Sequence, residues 1–170
     1  VWVDGNLYVD SSSWEMDCSF DGQFGIQVNA TGTLVIRNSG TGPSTITAND
    51  PDYEYWFKAL SGATLKVENS TISECGWDAA NPGLQVYTNN AFFYSASLTS
   101  NYNGLNLIST DGVIISNSTV KYNSNIGLYL NPAINTAIRF SNISSDQTGI
   151  YLDAASTGNL MRNNSITNNG

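Results

Sequence analysis

The chain has 170 residues, 41% hydrophobic and only 12% charged, a size and balance that suit one domain with a buried core. Its 14 acidic residues against 6 basic ones, with no histidine, leave a formal net charge of −8, which excludes nucleic acid and anionic membrane as natural partners. No apolar run reaches the ~18 residues of a membrane span, so membrane insertion is not expected either.

Asn, Ser, Thr and Gly supply most of the polar surface, a mixture that favours turns and strands over helices. In the first third, Gly5 to Cys18, Gly32 to Ile46 and Gly62 to Cys75 align with one another, with Leu7/Val9, Leu34/Ile36 and Leu65/Val67 as inward pairs. The coils there are long, because Gly40 to Tyr55 carries Gly-Pro, Asn-Asp-Pro and an acidic cluster and reads as an excursion loop. Gly76 to Pro82 reads as a smaller one.

From there the repeat tightens to about 22 residues. Gly83-Leu84-Gln85-Val86, Gly104-Leu105-Asn106-Leu107, Gly127-Leu128-Tyr129-Leu130 and Gly149-Ile150-Tyr151-Leu152 share the pattern Gly-apolar-polar-apolar. In phase with it, an inward apolar residue is followed five positions later by another: Val67 and Ile72, Phe93 and Leu98, Ile115 and Val120, Ile138 and Ile143, Met161 and Ile166. Alternation such as Leu65-Lys66-Val67 puts one face in a core and the other in water. Strands this short cannot bury themselves alone, so each must stack on its counterpart one coil away, ~4.8 Å distant. The expected fold is all-β, a right-handed parallel β-helix (solenoid) of about seven rungs, forming a single domain over residues 1–170.

Two positions after the first inward residue of each pair runs the column Ser11, Asn38, Asn69, Ser95, Asn117, Phe140, Asn163. Asn tolerates a left-handed backbone and its amide bonds the amides above and below, so this column is expected to be an inward asparagine ladder.

The corners Asn69-Ser70-Thr71-Ile72 and Asn163-Asn164-Ser165-Ile166, following the Gly-apolar-x-apolar segments, resemble the repeats of the pectate-lyase-like superfamily. The likeness is closest to the carbohydrate-binding and sugar-hydrolysis type repeats, found also in a periplasmic copper-binding family and in exported proteins of archaea and bacteria. It covers residues 56–170 well and 1–55 loosely. Such repeats serve lyases, hydrolases, adhesins and envelope proteins alike, so the resemblance implies fold more than function.

Enzymes of that superfamily imply acidic calcium ligands and a basic residue on an external strand face. Here Arg139 and Arg162 stack in register, and Asp146 or Asp153 is placed to face them, a patch suited to a sugar carboxylate. With no imidazole in the chain, hydroxyl or thiol catalysis lacks its usual base. No cofactor is expected; Asp50, Asp52 and Glu54 offer oxygen ligands for calcium, although Pro51 points to a solvated turn. Copper needs His, Cys or Met, and with only Met16 and Met161 beside two cysteines it is discounted. Tyr53, Tyr55, Trp56 and Trp77 cluster around the two excursions and are candidates for stacking on sugar rings, or for covering the side of the helix.

Cys18 and Cys75 belong to coils two apart, about 10 Å at ~4.8 Å per coil and beyond the ~7 Å a disulfide spans, so they are expected to be unpaired. Five Asn-x-Ser/Thr triplets occur, at Asn29, Asn69, Asn117, Asn142 and Asn163. If column residues are shielded, glycans belong on Asn29 and Asn142. The leading expectation is a non-catalytic exported or cell-surface module, structural or adhesive, filament-forming or glycan-binding; the competing one is a polysaccharide lyase or hydrolase. Because the chain starts at Val1 and stops within the repeat, it is expected to belong to a longer solenoid or to stack end to end with itself.

Overall fold

A computed structural model describes residues 1–40 and 42–170; Thr41, within the expected excursion, lies outside the described residues. Three parallel sheets of seven strands run the length of the molecule. The first comprises Trp2–Val3, Gly25–Val28, Trp56–Ala59, Gly83–Val86, Asn103–Asp111, Ile126–Ile134 and Thr148–Leu152. The second comprises Asn6–Asp10, Thr33–Arg37, Thr64–Glu68, Asn90–Tyr94, Ile114–Ser116, Ala137–Arg139 and Leu160–Arg162. The third comprises Ser13–Met16, Thr45–Ala48, Thr71–Ser73, Ser97–Thr99, Thr119–Lys121, Asn142–Ser144 and Ser165–Thr167. Each coil contributes one strand to each sheet, giving a seven-coil β-helix with the right-handed sense that parallel crossovers adopt.

The register follows the repeat. Leu7, Leu34 and Leu65 pair in succession, as do Phe93, Ile115, Ile138 and Met161 on the second sheet and Leu98, Val120, Ile143 and Ile166 on the third. The columns Ile36, Val67, Phe93, Ile115, Ile138 and Ile46, Ile72, Leu98, Val120, Ile143 are wholly buried. A three-residue strand with one inward side chain gains about 1.5–3 kcal/mol by burying it, less than the roughly 1–2 kcal/mol per residue that ordering its backbone costs. The coils are therefore stable only as a stack.

At the corner between the second and third sheets, Ser11, Asn69, Ser95, Asn117, Phe140 and Asn163 all have positive φ, between 47° and 55°. The expected left-handed column is thus present, without Asn38, but its orientation is the reverse of the expectation. Asn69, Asn117, Phe140 and Asn163 are exposed, because the left-handed residue turns the chain so that the residue after it aims inward. That next residue forms a ladder made largely of serine: the Ala96 N–H donates to Ser118 Oγ (3.2 Å), the Ser118 N–H to Ser141 Oγ (3.1 Å) and the Ser141 N–H to Asn164 Oδ1 (3.0 Å). Asn69, Asn117 and Asn163 are consequently not shielded, and the argument reserving glycans for Asn29 and Asn142 does not apply.

The asparagine ladder lies at the corner between the third and first sheets. The Cys75 N–H donates to Asn101 Oδ1 (3.0 Å), the Asn101 N–H to Asn123 Oδ1 (3.1 Å), the Asn123 N–H to Asp146 Oδ1 (2.8 Å) and the Asp146 N–H to Asn169 Oδ1 (3.1 Å). Side-chain amides reinforce it, Asn101 Nδ2 donating to Asn123 Oδ1 (3.1 Å) and Asn123 Nδ2 to Asp146 Oδ1 (2.9 Å). The first glycine of the Gly-apolar-polar-apolar pattern belongs to this corner: a Cβ at Gly127 would overlap the Asp146 carboxylate.

Candidate functional site

The register pairs Arg139 with Arg162 on the outer face of the second sheet, as expected. Among the described residues no carboxylate forms an ion pair with them. Asp146 is buried in the asparagine ladder, and Asp153 caps a turn by accepting the Ala155 N–H (3.0 Å). The one ion pair among the described residues links Arg37 to Asp10 at 2.9 Å. The expected charged patch is therefore not assembled, because the coil directs Asp146 into the core.

The acidic loop does not converge either. Asp50 Oδ1 accepts the Asp52 N–H (3.0 Å), closing a local turn, while Glu54 turns away toward Asp21, whose Oδ1 accepts the Glu54 N–H (3.2 Å). Among the described residues no group of three or more His, Cys, Asp or Glu side chains is arranged to hold a metal ion. Half-burial and then the hydrogen bond and negative charge of Asp21 push the Glu54 carboxyl up to about 7. Its folded form holds a proton more tightly than the unfolded chain, so its contribution to stability is complete below about 4.5 and is lost as pH rises through 7.

The aromatic residues make the most developed surface feature. Trp2, Gln27, Lys58 and Gln85 stand in register along the outside of the first sheet, and Trp56 pairs with Gly25, which leaves room for its indole to lie across the strand. The Trp77 indole reaches back from the 76–82 excursion onto Gly22. These elements border an open cleft of about 460 Å³ lined by Trp2, Trp56, Trp77, Gln27, Lys58 and Asp21. Lys58 Nζ sits 6.0 Å from the centre of the Trp56 ring. Rigid aromatic faces beside amide, ammonium and carboxylate groups suit a ligand with apolar ring faces and a hydroxyl rim.

Of the four aromatic candidates, Trp56 and Trp77 line this cavity, Tyr53 is an exposed loop residue outside it, and Tyr55 is wholly buried. Tyr55 cannot touch a ligand: its hydroxyl donates to the Ile46 carbonyl (3.2 Å) and its backbone bridges to Cys75. Trp2, Gln27 and Lys58 are the residues that sequence reasoning missed. The available signal was Gly25-Ile26-Gln27-Val28, which repeats the Gly-apolar-polar-apolar pattern and sets Gln27 and its neighbours Trp2 and Lys58 on the outer face.

Cys18 and Cys75 are free and buried in the core beside Tyr55. Burial pushes both thiols up, Cys75 far above the ordinary range. Both are expected to resist iodoacetamide in the native protein at pH 8 and to react once unfolded without reductant; a native mass shift of even one adduct would contradict that burial.

In comparison with known proteins, the family model described as "Periplasmic copper-binding protein (NosD)" matches residues 12–170. No curated protein and no solved structure matches the chain. The donors present do not fit a copper centre. The chain has no histidine, its buried cysteines are held as thiols, and Met16 and Met161 stand in the first and last coils.

Proposed function

Given that the chain belongs to the NosD family, we propose that it is an exported, non-catalytic β-helix module that binds carbohydrate in its tryptophan cleft. The family's periplasmic description supports the exported location. The observation that carries the binding role is the cleft itself. Three tryptophans from separate segments meet around one cavity with Gln27, Lys58 and Asp21, where core packing has no need of them. Sugar rings present apolar faces to indoles and hydroxyls to amides and carboxylates, which is the combination on offer.

A glycan array followed by calorimetric titration of the best hit tests this reading. Trp56→Ala and Trp77→Ala are each expected to weaken binding about tenfold or more, the scale of one lost aromatic contact with its packing. Binding by none of the glycans, or binding by both variants as tight as that of the unmodified chain, would remove the proposal. Turnover of an acidic polysaccharide that is lost in Arg162→Ala would replace it with the enzymatic alternative.

A further inference from the structure

Trp77 separates two cavities, and only one belongs to the cleft just described. On its other side lies a second cavity of about 220 Å³, lined by Trp77, Glu54, Ser100, Tyr102, Tyr122 and Ser124. Its walls come from the corner between the third and first sheets, where Tyr102 follows the strand Ser97–Thr99 and Tyr122 follows Thr119–Lys121. The two cavities are therefore displaced along the helix axis while sharing one indole. From Trp2 in the first coil to Tyr122 in the fifth is four coil steps, ~19 Å at ~4.8 Å per step. That is well beyond the span of a single sugar ring.

Tyr122 stands out chemically. It is 60% exposed and adopts φ 57°, a left-handed conformation that a bulky side chain takes at a cost and that Asn or Gly would take more readily. It buries too little to offset that cost through the core. On the surface its ring meets Lys121, whose Nζ lies 5.1 Å from the ring centre. An exposed phenol ring at the mouth of a cavity that begins at Trp77 is a surface for stacking.

We infer that the two cavities are adjoining subsites for one extended, unbranched glycan chain running along the helix axis, with Tyr122 stacking on units beyond those held by Trp56. This rests on the carbohydrate reading and adds its ligand class, a linear oligosaccharide or polysaccharide. Glu54 and Ser124 supply hydrogen-bonding groups to the second subsite as Gln27 and Asp21 do to the first.

The test uses the array's best-binding linear glycan as a length series, from monosaccharide to hexasaccharide, titrated against the unmodified chain, Trp56→Ala and Tyr122→Asn. Affinity of the unmodified chain is expected to rise with length and then level off. Tyr122→Asn should leave the shortest binding oligomer unaffected and weaken the hexasaccharide about tenfold, while its melting temperature stays level or rises because Asn suits the left-handed corner. Trp56→Ala should weaken every length. Tyr122→Asn matching the unmodified chain at all lengths while Trp56→Ala still weakens binding would overturn the two-subsite inference alone. Loss of length dependence in the unmodified chain would do the same. Unchanged binding by Trp56→Ala would overturn the carbohydrate reading beneath it.

Discussion

Asn123→Ala is expected to destabilise the protein by about 3 kcal/mol, roughly 10 °C in melting temperature for a domain of this size. Asn123 is buried at the middle of the inner ladder. Its Oδ1 accepts both the N–H and the side-chain amide of Asn101, and its Nδ2 donates to the Leu98 carbonyl (3.3 Å) and to Asp146. Alanine removes all four bonds and leaves the buried Asn101 N–H without its acceptor, at about 1–3 kcal/mol; the Asn101 amide keeps the Ile72 carbonyl and Asp146 Oδ1 keeps the N–H of residue 123, so the other lost bonds add about 0.5–1.5 kcal/mol each. The contrast is Asn117→Gly, in the left-handed column at the preceding corner of the same coil. That side chain is exposed and glycine adopts φ 52° freely, so the change should stay within about 0.5 kcal/mol. Urea unfolding of both variants measures the difference. Similar midpoints would show that the inner ladder does not hold the coils together.

Asp146→Asn should have the opposite sign, stabilising the chain by about 1–2 kcal/mol at pH 7. Asp146 occupies a ladder position otherwise filled by Asn101, Asn123 and Asn169, whose Nδ2 atoms donate to the carbonyls of Ile72, Leu98 and Ile143 in the preceding coils. The equivalent acceptor for Asp146 is Val120, and an ionised carboxylate has nothing to donate to it. Asp146 Oδ2 is buried without a hydrogen-bond partner. Burial raises its carboxyl, against the pull of the Asn123 N–H and amide. A group raised in the folded state contributes stability that is complete below its unfolded value, near 3.8, and is lost as pH rises through the folded one. The advantage of Asn over Asp should therefore vanish near pH 3.5 and grow toward neutrality. Thermal melts from pH 3.5 to 8 measure it, with Glu54→Gln separating the second falling limb that ends near pH 7. An Asp146→Asn gain that is absent at pH 7, or the same at every pH, would contradict this account.

Asp146 also shows where sequence reasoning reached its limit. The sequence offers it as a partner for Arg139 and Arg162, which immediately follow the inward residues Ile138 and Met161. Whether a polar residue beyond a strand points in or out depends on the backbone at the corner, and Ser145, just before it, has φ 62° and turns Asp146 inward. Asn69 and Asn117 face outward for the same reason, being themselves the left-handed residues. Tyr55, grouped with Trp56 by adjacency, falls on the opposite side of the strand's alternation and enters the core. The Trp2, Trp56 and Trp77 cleft depends on residues far apart in the chain that are neighbours only after three coils have stacked.

The amino-acid sequence by itself determined the coil. Alternation within short strands and the recurrence of Gly-apolar-polar-apolar segments are local properties, and hydrophobic burial allows them one outcome, stacked parallel sheets with the inward columns observed. The tertiary structure decided which polar column faces the core, where the carboxylates go, and which aromatic residues share a cavity. Those outcomes turn on the sign of φ at single corner residues and on contacts between coils, neither of which leaves a periodic mark in the chain.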